Sequence, residues 1–242
     1  MKKIFILTVI LMASLSSLRA QYKVGSIYNV NGVKGLVVDV DESGNHGLLM
    51  SLSESDKDWL NDENLAFETN AFHEDDGMKN MEAIEKYIND NNKSWDDFPI
   101  FAWARSLGEG WYIPAREELL IIWKNLNGGN LNFNKKGNKL WKAHNKVVEK
   151  NGGDELYCSN YSTMGFKMLC GMISSTEAEG GKVYVINTEK GKNLTNHPMG
   201  APNVKIIEYQ IGKKAHRSEG DALGMKRVLH FDTRAVRKFY QR

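Results

Sequence analysis

The chain has 242 residues, with 32 Lys and Arg against 30 Asp and Glu and a formal net charge of +2. Lys2, Lys3 and Arg19 fall within the first 20 residues, which hold no acid, so the rest of the chain is close to neutral. Bulk charge therefore points to no nucleic-acid partner, and past the leader no apolar run approaches the roughly 18 residues of a membrane-spanning helix.

Residues 1–20, MKKIFILTVILMASLSSLRA, read as a secretory signal peptide. Lys2 and Lys3 form the positive n-region, Ile4 to Met12 the apolar stretch, and small residues lead to Ala20. The mature chain is then expected to start near Gln21. It would act in the periplasm, on the outer surface or outside the cell, with no transmembrane segment of its own.

The mature N-terminus, residues 21–69, reads as a small β-meander. Val24 to Val30, Gly35 to Val40 and Gly47 to Leu52 are extended runs, separated by Asn31-Gly32 and by the turn Asp41 to Asn45. Met81, Ile84, Tyr87 and Ile88 recur at helical spacing, so a helix is expected over 80–89. A second is expected over 95–107, its start complicated by Pro99 and its end set by Gly108 and Gly110. Pro114 opens the clearest helix, with Leu119, Leu120, Ile122, Trp123 and Leu126 as its apolar stripe. Lys139 to Lys150 is expected to be helical. Short strands follow at 172–176, 183–188, 204–211 and 227–239, and Gly180-Gly181 separates the first two in hairpin fashion. Helices in the middle with antiparallel strands at both ends predict an α+β fold.

No zinc pattern, nucleophile elbow, phosphate loop or dinucleotide fingerprint occurs, so no catalytic residue, metal or cofactor is assigned. Asp39 to Gly44 begins like a calcium loop, but position twelve is Met50 and the flanks are strands; a hairpin turn explains it. His73-Glu74-Asp75-Asp76-Gly77 clusters metal-ligand types on one loop, where adjacent acids ordinarily splay into water. Cys158 and Cys170, twelve positions apart, either close a disulfide worth about 3 kcal/mol or remain two buried thiols. The tryptophans are assigned to the core by default.

Charge is unevenly spread. Residues 39–97 hold 17 acids, 135–150 hold six lysines and one glutamate, and 205–242 hold 10 basic residues. Such segments either form a binding face or are paired and solvated within one fold; the second reading is preferred. On the first, Lys213, Lys214, Arg217, Arg234 and Arg237 are the binding candidates. Arg234 and Arg237 would take carboxylate or sulfate groups, or else tie the last strand to an acidic segment, which is the preferred role.

Four segments together carry a resemblance: DDGMKNMEAI (75–84), GEGWYIPAREELLIIW (108–123), ISSTEAEGGKVYVIN (173–187) and RAVRKF (234–239). In this order they resemble the bacterial exported domain found at the C-terminus of collagen-like surface adhesins. That family is similar in fold to C-type-lectin-like domains and to the formylglycine-generating-enzyme group. The resemblance covers residues 70–242. It implies a C-type-lectin-like α+β domain with two main helices and twisted antiparallel strands, preceded by the meander. Trp111, Pro114, Glu118, Ser174, Ser175, Thr176, Arg234 and Arg237 are then signature positions, many of them structural. Ile173 replaces the aromatic that often precedes Ser-Ser-Thr. The calcium triplet of true lectins and the close cysteine pair of the oxidases are missing, so neither activity is implied.

These readings together imply an exported, non-catalytic binding or adhesion domain for a glycan or another envelope protein. An exported enzyme with a site built from non-contiguous residues, and a structural component of the envelope, are the alternatives.

Overall fold

The computed structural model describes residues 21–61, 68–131, 135–154, 156, 169–179, 182–190, 202–210 and 229–240. Strands β1 (Ile27–Val30), β2 (Val33–Val40) and β3 (His46–Met50) come first. Four helices follow: α1 (Gly77–Asp90), α2 (Pro99–Ser106), α3 (Arg116–Leu126) and α4 (Lys135–Lys150), with a 3-10 turn at Trp95–Asp97. The chain ends in β4 (Leu169–Ala178), β5 (Lys182–Lys190), β6 (Pro202–Gln210), β7 (Leu229–Asp232) and β8 (Val236–Tyr240). The class is mixed α+β, and the described residues form four helices, at the four segments where the residue pattern predicts them, although the family resemblance implies only two main ones.

Among the described residues two four-stranded sheets form, in the orders β1-β2-β3-β8 and β6-β5-β4-β7. Asn31 and Gly32 turn β1 into β2 with φ of 50° and 80°, the double positive φ that an Asn-Gly hairpin supplies. The strands of residues 21–69 do not end at β3, because β8 pairs with it from His46↔Tyr240 to Met50↔Val236. The expected single strand over 227–239 is therefore two strands in two sheets. β7 lies parallel to β4, and Thr233, Arg234 and Ala235 then cross, fully buried, to β8. A parallel β4–β7 pair was not expected among antiparallel strands.

Two of the pairings, β2–β3 and β4–β5, are interrupted where a helix or its flank uses the backbone. The β2–β3 register shifts between Val37 and Asp39. The freed Val38 carbonyl accepts from Asn125 Nδ2 of α3 at 3.0 Å, so the bulge leaves no buried acceptor unpaired. The β4–β5 register shifts between Ile173 and Glu177, and Ser174, Ser175 and Thr176 fill the break.

The core is continuous. Leu36, Val37, Val38, Leu49 and Met50 from the first sheet join Leu119, Ile122 and Leu126 of α3 and Val183 and Val185 of β5. Trp59, Phe98 and Phe101 meet edge to face, with the Trp59–Phe101 centroids 4.9 Å apart, and anchor α2. Pro99 begins α2 instead of breaking it: a proline at the first helical position gives up only an amide that would be unpaired anyway. The sequence expectation of one helix from residue 95 thus resolves into a 3-10 turn and a separate helix.

Candidate functional site

A groove of about 330 Å³ opens between α1 and the end of α2. Met78, Met81, Glu82 and Glu85 reach it from α1. Their spacing of three, four and seven places them on one helical face. The loop after α2 closes the other side with Gly108, Glu109, Gly110 and Trp111. Gly108 and Gly110 have φ of 116° and 79°, which a side chain would resist, and this backbone brings Glu109 to the rim.

Arg105, in the last turn of α2, is fixed twice. Its guanidinium lies over the Trp95 ring at 4.2 Å, and one nitrogen meets Glu85 Oε1 at 3.3 Å. That ion pair is half exposed and contributes under about 1 kcal/mol, so it orients more than it stabilises. The indole of Trp111 is held from behind. A β-carbon at Gly35 of β2 would stand 3.3 Å from its ring, so only glycine leaves it comfortable room. Trp111 is 6% exposed, so it supplies an apolar floor with Met81 and not an open stacking platform. Three carboxylates face one guanidinium, and the groove is acidic overall. It suits a ligand rich in hydroxyl or amine donors with an apolar side.

Of the predicted site residues, Trp111 lines this groove, and Arg237 packs behind it: a β-carbon at Gly110 would lie 3.4 Å from Arg237 Nε. Arg234 goes elsewhere. It is 4% exposed, and its guanidinium donates to the carbonyls of Ser51, Leu52 and Asp154 and to Glu54 Oε2 at 2.9 Å. That is the strand-to-acid tie the sequence favoured. Lys213, Lys214 and Arg217 lie outside the described residues. So does Cys158, which leaves its pairing with Cys170 of β4 outside them too.

The other signature positions form a buried polar bracket. Glu118 Oε2 accepts the N–H groups of Ala115 at 2.8 Å and Gly77 at 3.0 Å, and Oε1 accepts the Tyr112 hydroxyl at 2.7 Å. One carboxylate thereby satisfies free amides at the starts of α1 and α3, where helices leave donors unpaired. Burial pushes the Glu118 carboxyl above its ordinary range, and burial together with the Glu118 charge raises the Tyr112 hydroxyl. Ala115 has no side chain to cap α3, and Thr176 Oγ1 does so instead, accepting the Arg116 N–H at 3.1 Å. Ser175 N–H donates to the Pro114 carbonyl at 2.9 Å, which fixes Pro114 against β4. Ser174 Oγ donates to the Tyr184 carbonyl at 2.7 Å across the bulge.

Asn80 completes the bracket. Fully buried on α1, it accepts the His73 N–H at 2.9 Å and donates to the His73 carbonyl at 2.8 Å and Ser175 Oγ at 3.0 Å. Glu177 is buried beside it and accepts both the N–H and hydroxyl of Thr69; burial raises its carboxyl as well.

The acidic loop at 73–77 has structural employment. Asp76 caps α1 through the N–H groups of Met78 and Lys79, and Glu74 pairs with Arg116. In the turn at 41–46, Asp41 accepts from Ser43 and meets His46 Nδ1 at 2.9 Å, and these contacts hold its carboxyl well below the usual range. Among the described residues no group of three His, Cys, Asp or Glu is placed to hold a metal, and no helix is long and apolar enough to cross a membrane.

Sequence reading alone did not single out Met78, Glu82, Glu85, Arg105 or Glu109. The one signal was the 78/81/82/85 spacing, which the neighbouring core stripe at 81, 84 and 88 overshadowed. Comparison with protein-family models, with curated proteins and with solved structures finds no match.

Proposed function

We propose that this protein is an exported, non-catalytic binding module of C-type-lectin-like type that holds a sugar unit of a surface glycan in the groove between α1 and α2. The observation that carries this reading is the composition of the groove. Glu82, Glu85 and Glu109 offer acceptors to sugar hydroxyls, Arg105 offers donors, and Met78, Met81 and Trp111 give an apolar side. The acidic excess favours neutral or amine-bearing sugars over sulfated or uronic ones. Non-catalytic action is supported by the employment of the reactive residue types. Ser174, Ser175, Thr176, Glu118 and Glu177 are buried and spend their polar atoms on helix starts and strand breaks, away from the groove.

A glycan array probed with the purified protein tests the assignment. Neutral or amino-sugar glycans should be retained, and Glu82→Gln with Glu109→Gln should weaken retention while leaving the melting temperature unchanged. Retention of no neutral or amino-sugar glycan, or retention indifferent to both substitutions, would count against it. Export is tested separately by N-terminal sequencing of protein recovered outside the cytoplasm, with Gln21 expected first.

A further inference from the structure

Helix α4 carries six lysines and one acid, Glu149. Lys139, Lys142, Lys146 and Lys150 are spaced by three, four and four residues, so they share one face. All four side chains are exposed. The opposite face is fastened to the fold. Trp141 stacks on Trp123 of α3 with centroids 4.8 Å apart, and His144 and Val148 are buried. The lysine row is therefore held as a rigid stripe about 16 Å long, with ammonium groups roughly one helical turn apart.

Among the described residues none of the four lysines forms an ion pair, and Glu149 at the edge of the stripe pairs with none of them. Lys34 of β2 adds a further positive charge near the C-terminal end of α4. Its ammonium donates to the Asn151 carbonyl at 2.9 Å, just past the end of α4. Like charges at i,i+4 disfavour a helix, and here no described acid forms an ion pair with them. A basic segment built to pair with the acidic segments of its own fold would not look like this.

The geometry points to the outward face of α4 as a docking surface for a linear acidic polysaccharide, separate from the groove and opposite to it in charge. Lysine ammonium groups are point charges on flexible stems, which suits a repeating anion better than one planar carboxylate. The competing polyanions fit less well. A membrane-surface helix needs an apolar face free to enter the lipid boundary, and the apolar face of α4 is used in the core. Single-stranded nucleic acid needs exposed aromatics for base stacking, and the exposed face of α4 has none.

Immobilised heparin is the probe, with vesicles of phosphatidylserine and phosphatidylcholine and a duplex DNA as the competing arms. The purified protein should bind heparin with a steep dependence on salt. Replacing Lys139, Lys142, Lys146 and Lys150 by Gln should weaken binding by about tenfold or more, taking a charge-assisted contact as worth a few-fold each. Replacing Lys23, Lys57, Lys79 and Lys124, exposed lysines elsewhere, by Gln should change it less than about twofold, although the net charge falls equally. Lys142→Glu alone reverses one charge at the centre of the row and should weaken binding in the same direction. Equal binding by the two four-site variants would overturn the assignment to α4. Tighter binding to vesicles or to DNA than to heparin would overturn the ligand class.

Discussion

Glu118→Ala removes the acceptor for three buried donors at once: the N–H groups of Gly77 and Ala115 and the hydroxyl of Tyr112. Each unpaired buried donor costs about 1–3 kcal/mol, and local relaxation recovers part of that, so the expected loss is about 3–5 kcal/mol. Against a domain stability of roughly 5–15 kcal/mol this is a large share. Glu118→Gln keeps the shape. Its carbonyl can serve the two N–H groups while its amide donates to the Tyr112 oxygen, so the cost should be about 1–2 kcal/mol.

The two substitutions also separate by pH. Burial raises the folded pKa of Glu118, so the folded protein takes up this proton at higher pH than the unfolded chain does. Its contribution is fully present below the unfolded value, near about 4.3, and is lost as pH rises through the folded value. Gln does not titrate, so the wild type's advantage over Glu118→Gln should be largest at low pH and shrink as pH climbs. Urea unfolding followed by tryptophan fluorescence, from about pH 4 to pH 8, measures both effects. A Glu118→Ala protein within about 1 kcal/mol of wild type, or an advantage that grows with pH, would refute the bracket.

Arg234→Met removes the guanidinium that bonds the carbonyls of Ser51, Leu52 and Asp154 and the Glu54 carboxylate, and should cost about 3–5 kcal/mol in urea unfolding. Arg234→Lys should recover less than half, because one ammonium cannot reach all four acceptors. Asn80→Asp turns a donor into an acceptor facing the His73 carbonyl and Ser175, and should lower stability by about 2–4 kcal/mol by the same measurement. Burial lowers the His144 pKa, so its contribution is present above the unfolded value of about 6.5 and is lost as pH falls through the folded one. His144→Leu should flatten that acid limb in melts taken across pH, and an unchanged slope would argue that the ring is not buried as neutral imidazole.

Local features were legible wherever a residue acts through its neighbours in sequence. The Asn31-Gly32 hairpin, the Pro114-initiated helix and the helical periodicity before Asn89 rest on short-range rules, and α1, α3 and the β1–β2 turn follow them. Pro99 was read as a complication because the compensating fact, the aromatic packing of Trp59 on Phe98 and Phe101, is supplied by a segment some forty residues earlier. The strand over 227–239 was misjudged for a related reason. Thr233-Arg234-Ala235 looks no different from extended chain, and only the acceptors on Ser51, Leu52 and Asp154 make it a crossing between sheets. Ser174 to Thr176 stood out as a pattern, yet their work depends on His73, Asn80 and Arg116, which periodicity cannot connect to them. The groove was hidden because its charged residues belong to two stretches some twenty residues apart, 82–85 and 105–109, and none is unusual for an exposed helix face or loop.

The crossing of the C-terminal segment bears on the order in which this protein is made. β3 waits for β8 and β4 waits for β7, and both partners are supplied by residues 229–240. Until residues 229–240 leave the ribosome, β3 and β4 each present an open edge of unpaired backbone groups, although the described helices and most of the core are already synthesised. A product that stops short of Leu229 is therefore not a smaller working domain but a chain with two sticky edges, prone to pair with other copies.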